Sequence, residues 1–242
     1  MVPLQIHLSG TSSVAYRPER GTLAITVKSS GPEQQPVSAD VTTTSNYLNQ
    51  GFRELSPKLE TGAVAPDAPV TSFSSKLLRT WSTRPTDEHN NPLPPTYHAT
   101  IGFNVVFRDF DKLGEVAGML ASYPNVQIDC VSWDLTEATQ KELGSETRKA
   151  AIRDAIVKAN DYAEVVGIKV IPVEIHDRGQ GTSGTSLFAS MAAPAAPATP
   201  GGGLFGTSKA DNDVIETTPI DLNPQDVRYS GSVDVRFEAV AE

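Results

Sequence analysis

The chain has 242 residues, a single cysteine and a formal net charge of −9. One cysteine excludes an intrachain disulfide, and a chain of this size buries roughly 70–75% of its unfolded surface without such a staple. Lys and Arg are scattered with no basic run, which argues against nucleic acid and against an anionic membrane surface as partners.

No apolar run approaches the ~18 residues that a membrane span needs. The opening "MVPLQIHLSG" lacks the basic and apolar regions of a secretory leader, so a cytoplasmic location is expected. The same stretch alternates, with Leu4, Ile6 and Leu8 on one side and Gln5, His7 and Ser9 on the other. "GTLAITVKSS" alternates through Leu23, Ile25 and Val27, and both read as half-buried strands. Val37, Val41, Thr44, Leu48, Phe52, Leu55 and Leu59 then fall at steps of three and four, the stripe of an amphipathic helix with Pro36 in its first turn. "VTSFSSKLLRTWST" reads as a strand with weaker alternation, and "RPTDEHNNPLPP" as a Pro-rich connection. "TYHATIGFNVVF" alternates cleanly through Tyr97, Ala99, Ile101, Phe103, Val105 and Phe107.

A short helix follows, with Asp109 as N-cap, Phe110, Leu113, Val116, Ala117 and Leu120 on one face, and Pro124 as its stop. In "NVQIDCVSWDL" the apolar phase shifts between Cys130 and Val131, the mark of a bulge or of burial on both faces. The longest helix is expected over Thr136–Val166, closed by Gly167 in a left-handed cap. Its apolar face reads Ile152, Ala155, Ile156, Ala159, Tyr162, Ala163 and Val166. Ala151, Ala155, Ala159 and Ala163 form an i, i+4 row that lets a helix lie close on a sheet, and Asp154 and Lys158 add a favourable ion pair. "IKVIPVEI" is the next strand. From Gly179 to about Asp213 charge nearly vanishes and Gly, Ala, Ser and Pro dominate, so this insertion is expected to be disordered in isolation. "DVRYSGSVDVRFEAV" then turns Val227, Tyr229, Val233, Val235 and Phe237 inward and leaves a wholly polar outer face, which requires an antiparallel sheet with one side in water.

Chemical signals are few. Gly179-Gln-Gly181-Thr-Ser-Gly184 spells G-x-G-x-x-G, but the dinucleotide turn also needs a helix directly after it and an acidic residue about 20 positions on. Here a Pro-broken segment follows, with no Asp or Glu between Asp177 and Asp211. Cys130 reads as a buried small hydrophobe rather than a nucleophile. His7, His89, His98 and His176 are spread over different elements, and Asp87–His89 sit too close together in a loop to converge on one ion. Three P-x-x-P matches, at Pro92–Pro95, Pro194–Pro197 and Pro197–Pro200, lack the flanking Arg that orients a ligand on an SH3-type groove and read as linker.

These elements in this order resemble the SIMPL-domain family, also called domain of unknown function 541. "LSGTSSVAYRPERGTLAITVKSSG" is similar to the family's opening strand pair, with Gly10, Val14 and Pro18 in place and Ser12 where the family has a second glycine. "IGFNVVFRDFDKLGEV" resembles its strand and following V-R-D-L-D-K-L-G. "RKAAIRDAIVKANDYAEVVGIKV" resembles its long helix, and "TPIDLNPQDVRYSGSVDVRF" its closing strand. "SLFASMAAPAAP" has a counterpart as well. The family includes periplasmic antigen proteins of bacteria and a kinase-binding adaptor of mammals. The resemblance implies a fold, an interaction role and ring-like self-association. It implies no catalytic residues.

The expectation is therefore an α+β domain over residues 1–242. Helices pack on one face of an antiparallel sheet, and a long low-complexity insertion, residues 179–213, precedes the last strand. The expected function is that of a non-enzymatic scaffold or adaptor that self-associates, of a kind linked to stress or signalling. The alternative is a small-ligand-binding protein or an enzyme using a sheet–helix cleft. No catalytic, cofactor or metal residue is assigned. Partners are expected to be proteins, further copies of the chain among them, with no nucleic acid and no membrane span.

Overall fold

The structure, a computed structural model, describes residues 4–183, 187–188 and 222–240. In chain order the elements are β1 (Gln5–Tyr16), β2 (Arg20–Gly31), α1 (Gln34–Glu54), β3 (Val70–Ser75), β4 (Arg79–Thr83), β5 (Thr96–Phe107), α2 (Phe110–Ala121), β6 (Val126–Asp134), α3 (Glu137–Val166), β7 (Val170–Ser183), β8 (Leu187–Phe188) and β9 (Val227–Ala239). The class is α+β, and every strand pairing is antiparallel. There are two sheets rather than the one expected. The larger runs β3-β5-β2-β6-β8, with β4 also on β5, and the smaller runs β1-β9-β7.

The larger sheet carries the main core. Leu23, Ile25 and Val27 of β2, Phe103, Val105 and Phe107 of β5, and Val131 and Trp133 of β6 are buried on one face. Helix α1 brings Val37, Val41, Leu48 and Phe52 onto that face, and α2 brings Leu113, Val116 and Leu120. The stripe read through Leu59 stops earlier. Helix α1 ends at Glu54, and Leu59 is half exposed. Pro57 disfavours helical geometry at Ser56. Asp109 caps α2 as expected, its carboxylate accepting the N–H of Lys112 at 2.9 Å. The phase shift in β6 is a bulge. Ala24 pairs with Cys130 but Ile25 pairs with Ile128, so Asp129 is the extra residue. Ile128 and Val131 thereby share the core side of the strand.

The segment read as one strand, "VTSFSSKLLRTWST", is two. Strand β3 lies along Phe103–Phe107 of β5 and β4 along Thr96–Thr100, with a break at Lys76–Leu78. The N–H of Lys76 donates to the Gly102 carbonyl at 2.8 Å across that break.

Helix α3 joins the two sheets. Thirty residues at 1.5 Å each reach about 45 Å. Its first half sets Leu143 into the main core. Its second half lies on the small sheet, where Ala151, Ala155 and Ala159 are fully buried against Val233, Val235 and Phe237. Gly167 ends it with φ of 70°, a left-handed cap. The broader apolar face read for this helix is corrected. Ile156, Tyr162 and Val166 are exposed, at 36%, 57% and 58%. The alanine row, with Ile152 beside it, meets the sheet, and methyl-sized side chains seat the helix too near the strands for Ile156, Tyr162 and Val166 to reach them.

The turn between β1 and β2 grips the start of α3. The Glu19 carboxylate accepts the Thr136 N–H at 2.7 Å and the Thr139 hydroxyl at 2.8 Å. Burial works against its charge, but the bonds from Thr136 and Thr139, with Arg20 beside them, hold the carboxyl below the usual glutamate range. A carboxylate at a helix N-terminus also meets the positive end of the helix dipole. Glu19→Gln is expected to cost about 1 kcal/mol at neutral pH. A folded-state value below the unfolded one adds stability above about pH 4.5, and that stability is lost as pH falls through the folded value. Urea unfolding of both proteins at pH 7 and pH 3 checks this: the gap should narrow at the lower pH.

Candidate functional site

The small sheet presents the densest set of interacting charges. Strand β9 is its middle strand, and the odd-numbered residues from Val227 to Phe237 face the core. The even-numbered ones face away from α3. Register sets His7 and Glu174 on either side of Arg236, and Ser9 and His176 on either side of Asp234. The Ser9 hydroxyl donates to Asp234 at 2.7 Å, and Gln5 donates to Glu238 at 3.0 Å. Arg178 donates to Asp234, Arg236 pairs with Glu174 at 3.0 Å, and His176 meets Glu174 at 2.9 Å. The Ser9 hydroxyl and Arg178 hold Asp234 below the usual carboxylate range. The charges answer one another in a ladder across three strands. That locks register and leaves a solvated mixed-charge surface.

Both outer strands of this sheet have one side unpaired among the described residues. Strand β7 is the more exposed. Ile171, Val173 and Ile175 are 51%, 41% and 49% exposed; Ile175 lies opposite Val235 on the α3 side, Ile171 opposite Glu238 on the polar side, and Val173 in a bulge between them. Register shifts at Val173 and around Arg178–Gly179 bulge the strand, and Gly179 takes φ of 89°. The second half of α3 adds bare Val157, Tyr162, Val165 and Val166.

A groove of about 430 Å³ runs between α1 and α2, lined by Tyr47, Gly51, Leu55, Lys112, Val116 and Met119 among others. It is open to solvent. Its rim groups bond each other, Lys112 to Glu115 at 2.5 Å and Gln50 to Glu54 at 2.9 Å. Tyr47 hydrogen-bonds Tyr123, which raises the Tyr123 phenol above its usual range.

The remaining residues singled out by sequence do not gather. Cys130 is half-buried in β6. The Asp87 carboxylate accepts the backbone N–H groups of His89 and Asn91 and the Asn91 amide, an arrangement that builds a loop tip. His98 stacks on Trp81 with centroids 5.1 Å apart and meets the Thr83 hydroxyl at 2.8 Å. Gly179 and Gly181 of the G-x-G-x-x-G lie inside β7, which runs on to Ser183. Gly184 and the insertion after it lie outside the described residues, as do Pro194–Pro200, apart from the backbone pairing of Leu187–Phe188 with β6. The insertion's expected first residues, Gly179–Ser183, are strand. No described helix is long and apolar enough to cross a membrane.

The architecture defines an α+β protein whose two antiparallel sheets are tied by one long helix. The chain belongs to the SIMPL family, described as a protein of unknown function (DUF541), which matches residues 6–237. No curated protein matches it.

Proposed function

We propose that the protein is a non-enzymatic scaffold or adaptor that associates with itself through the free edge of β7. The observation that carries this reading is that edge: fourteen residues of strand, three half-exposed aliphatic side chains, and no described element beyond it. Unpaired N–H and C=O groups in a row are a template for a second strand. Pairing them around a closed symmetry satisfies every subunit equally. Ile171, Val173 and Ile175 add the apolar area that makes such a contact hold in water. The ion pairs of Glu174 and Arg178 with β9 keep β7 in place to serve as that template.

Light scattering behind size exclusion at tens of micromolar tests it. The expected mass is a multiple of 25.8 kDa. The double variant Val173→Lys/Ile175→Lys, which puts charge on an exposed edge, is expected to run as a monomer with an unchanged thermal midpoint. A monomeric parent protein in physiological salt removes self-association from the reading.

A further inference from the structure

We infer that the free edge of β4, with the face of the larger sheet beside it, docks an extended acidic segment of a partner protein by strand addition. This deepens the adaptor half of the reading above and rests on it, at a surface separate from β7.

Strand β4 is an edge. It pairs with β5 on one side and with no described residue on the other. All five of its residues are exposed. Its outward N–H and C=O groups are ready to extend the sheet by one strand, the mode in which main-chain bonds give affinity and alternate side chains give selectivity.

Charge then chooses the occupant. The protein is strongly acidic overall, yet "KLLRTWSTR" from Lys76 to Arg84 holds three cations and no acid. The fold adds a fourth. Arg79 stands opposite Thr100, and Lys28 stands on the other side of that same Thr100, all on the face turned away from the helices. The aliphatic stem of Lys76 lies over Gly102, where a Cβ would come within 3.2 Å of its Cδ. Gly102 shares that outer face, two residues along β5 from Thr100. Lys76, Arg79 and Arg84 have no ionic partner among the described residues, and Lys28 bonds only the neutral Gln127 amide. The nearby Asp87 is already engaged by its own loop. The cations therefore meet water. Arg79 stands beside any strand added at the edge, and Lys28, on the far side of β5, adds to the positive field that favours Asp or Glu there.

Apolar groups complete the surface. Leu77 is 89% exposed at the break between β3 and β4, and Trp81 is 48% exposed with its ring held by the stack on His98. A ring fixed in this way offers contact area with little side-chain freedom left to lose.

The test uses the full chain and a fluorescein-labelled, end-capped octapeptide of alternating glutamate and valine, read by fluorescence anisotropy. Saturable binding is expected, weakened about tenfold or more by Arg79→Glu/Lys76→Glu, as the loss of several exposed ion pairs implies. Binding should also weaken as salt rises. The same peptide N-methylated at alternate residues, which cannot complete a ladder, is expected not to bind. Both side chains of the variant are exposed, so its thermal midpoint should match the parent's, and Trp81→Ser, which removes the exposed ring, should weaken binding as well. Equal binding of a lysine–valine octapeptide would overturn the inference, as would unchanged affinity in the variant. Co-sedimentation with phosphatidylserine vesicles while the peptide fails to bind would make this a lipid-facing surface and overturn it too. Light scattering on the same samples separates the two readings: an oligomer that ignores the peptide sinks this inference and leaves self-association standing.

Discussion

Gly10→Ala lowers the stability of the protein by about 3 kcal/mol or more, the upper range for forcing a methyl into a packed contact. A Cβ built on Gly10 stands 1.9 Å from the Ala151 carbonyl oxygen and 2.9 Å from the Cβ and N of Ala155. The nearest atom is main chain, so no rotamer change relieves it and Ala155→Gly does not rescue it. Strand β1 and helix α3 have to part, which breaks the seat of the alanine row and the bond between the Thr11 N–H and Asp154. Gly51 supplies the control of opposite sign. It lies inside α1 with nothing within 4 Å of its would-be Cβ. Gly51→Ala should therefore stabilise by about 0.5–1 kcal/mol through helix propensity alone. Denaturant unfolding of both variants measures the contrast. A neutral Gly10→Ala would mean that the helix does not lie on that strand.

Trp133→Ala is the second large effect, at about 3–5 kcal/mol. Trp133 is 1% exposed, edge-on to Phe110 at 4.9 Å, and its ring closes over Gly21. Its indole nitrogen, though buried, bonds no described residue. Phenylalanine would keep most of the ring and remove a donor that has no acceptor. Trp133→Phe is therefore expected to cost well under half of the alanine change, since an unmet buried donor offsets part of what the indole contributes. Equal losses for the two variants would show that the indole nitrogen has a partner after all.

Much of the fold was legible because its signals are local. Asp109, Gly167 and the alanine row each act on the backbone within a turn or two, and each lies where periodicity and capping rules put it. The bulge in β6 could be read because one extra residue flips the apolar phase of a strand. What was not legible depended on neighbours distant in sequence. Nothing in "VTSFSSKLLRTWST" says that it breaks at Lys76–Leu78; β5, the strand it lies along, decides that. The exposed flank of α3 was misread because Ile156, Tyr162 and Val166 are apolar, while the closeness set by Gly10 and the alanines is what keeps them from the sheet. Glu19 was missed for the same reason: its partner is the start of a helix more than a hundred residues on. The candidate surfaces were the least legible of all. Lys28 and Arg79 look scattered along the chain and become neighbours only through strand register.

The small sheet has a consequence for how the protein comes into being. Its middle strand is made last. Gln5 pairs with Glu238, so β1 has no neighbour in its own sheet until the far end of the chain has been synthesised. At 5–20 residues per second that is a wait of roughly ten to fifty seconds. The larger sheet, whose β2, β5 and β6 are all complete by Asp134, can close long before. During that interval the alanine face of α3 and the whole length of β1 are exposed to whatever else is nearby. Ser9, Thr11, Ser12 and Ser13 occupy the centre of β1; Ser9, Thr11 and Ser13 lie on its exposed face, and Ser9 bonds Asp234 in the finished sheet. A polar centre makes the waiting strand a poor seed for aggregation. The hydroxyls at the centre of β1 thus suit both the waiting strand and the finished sheet.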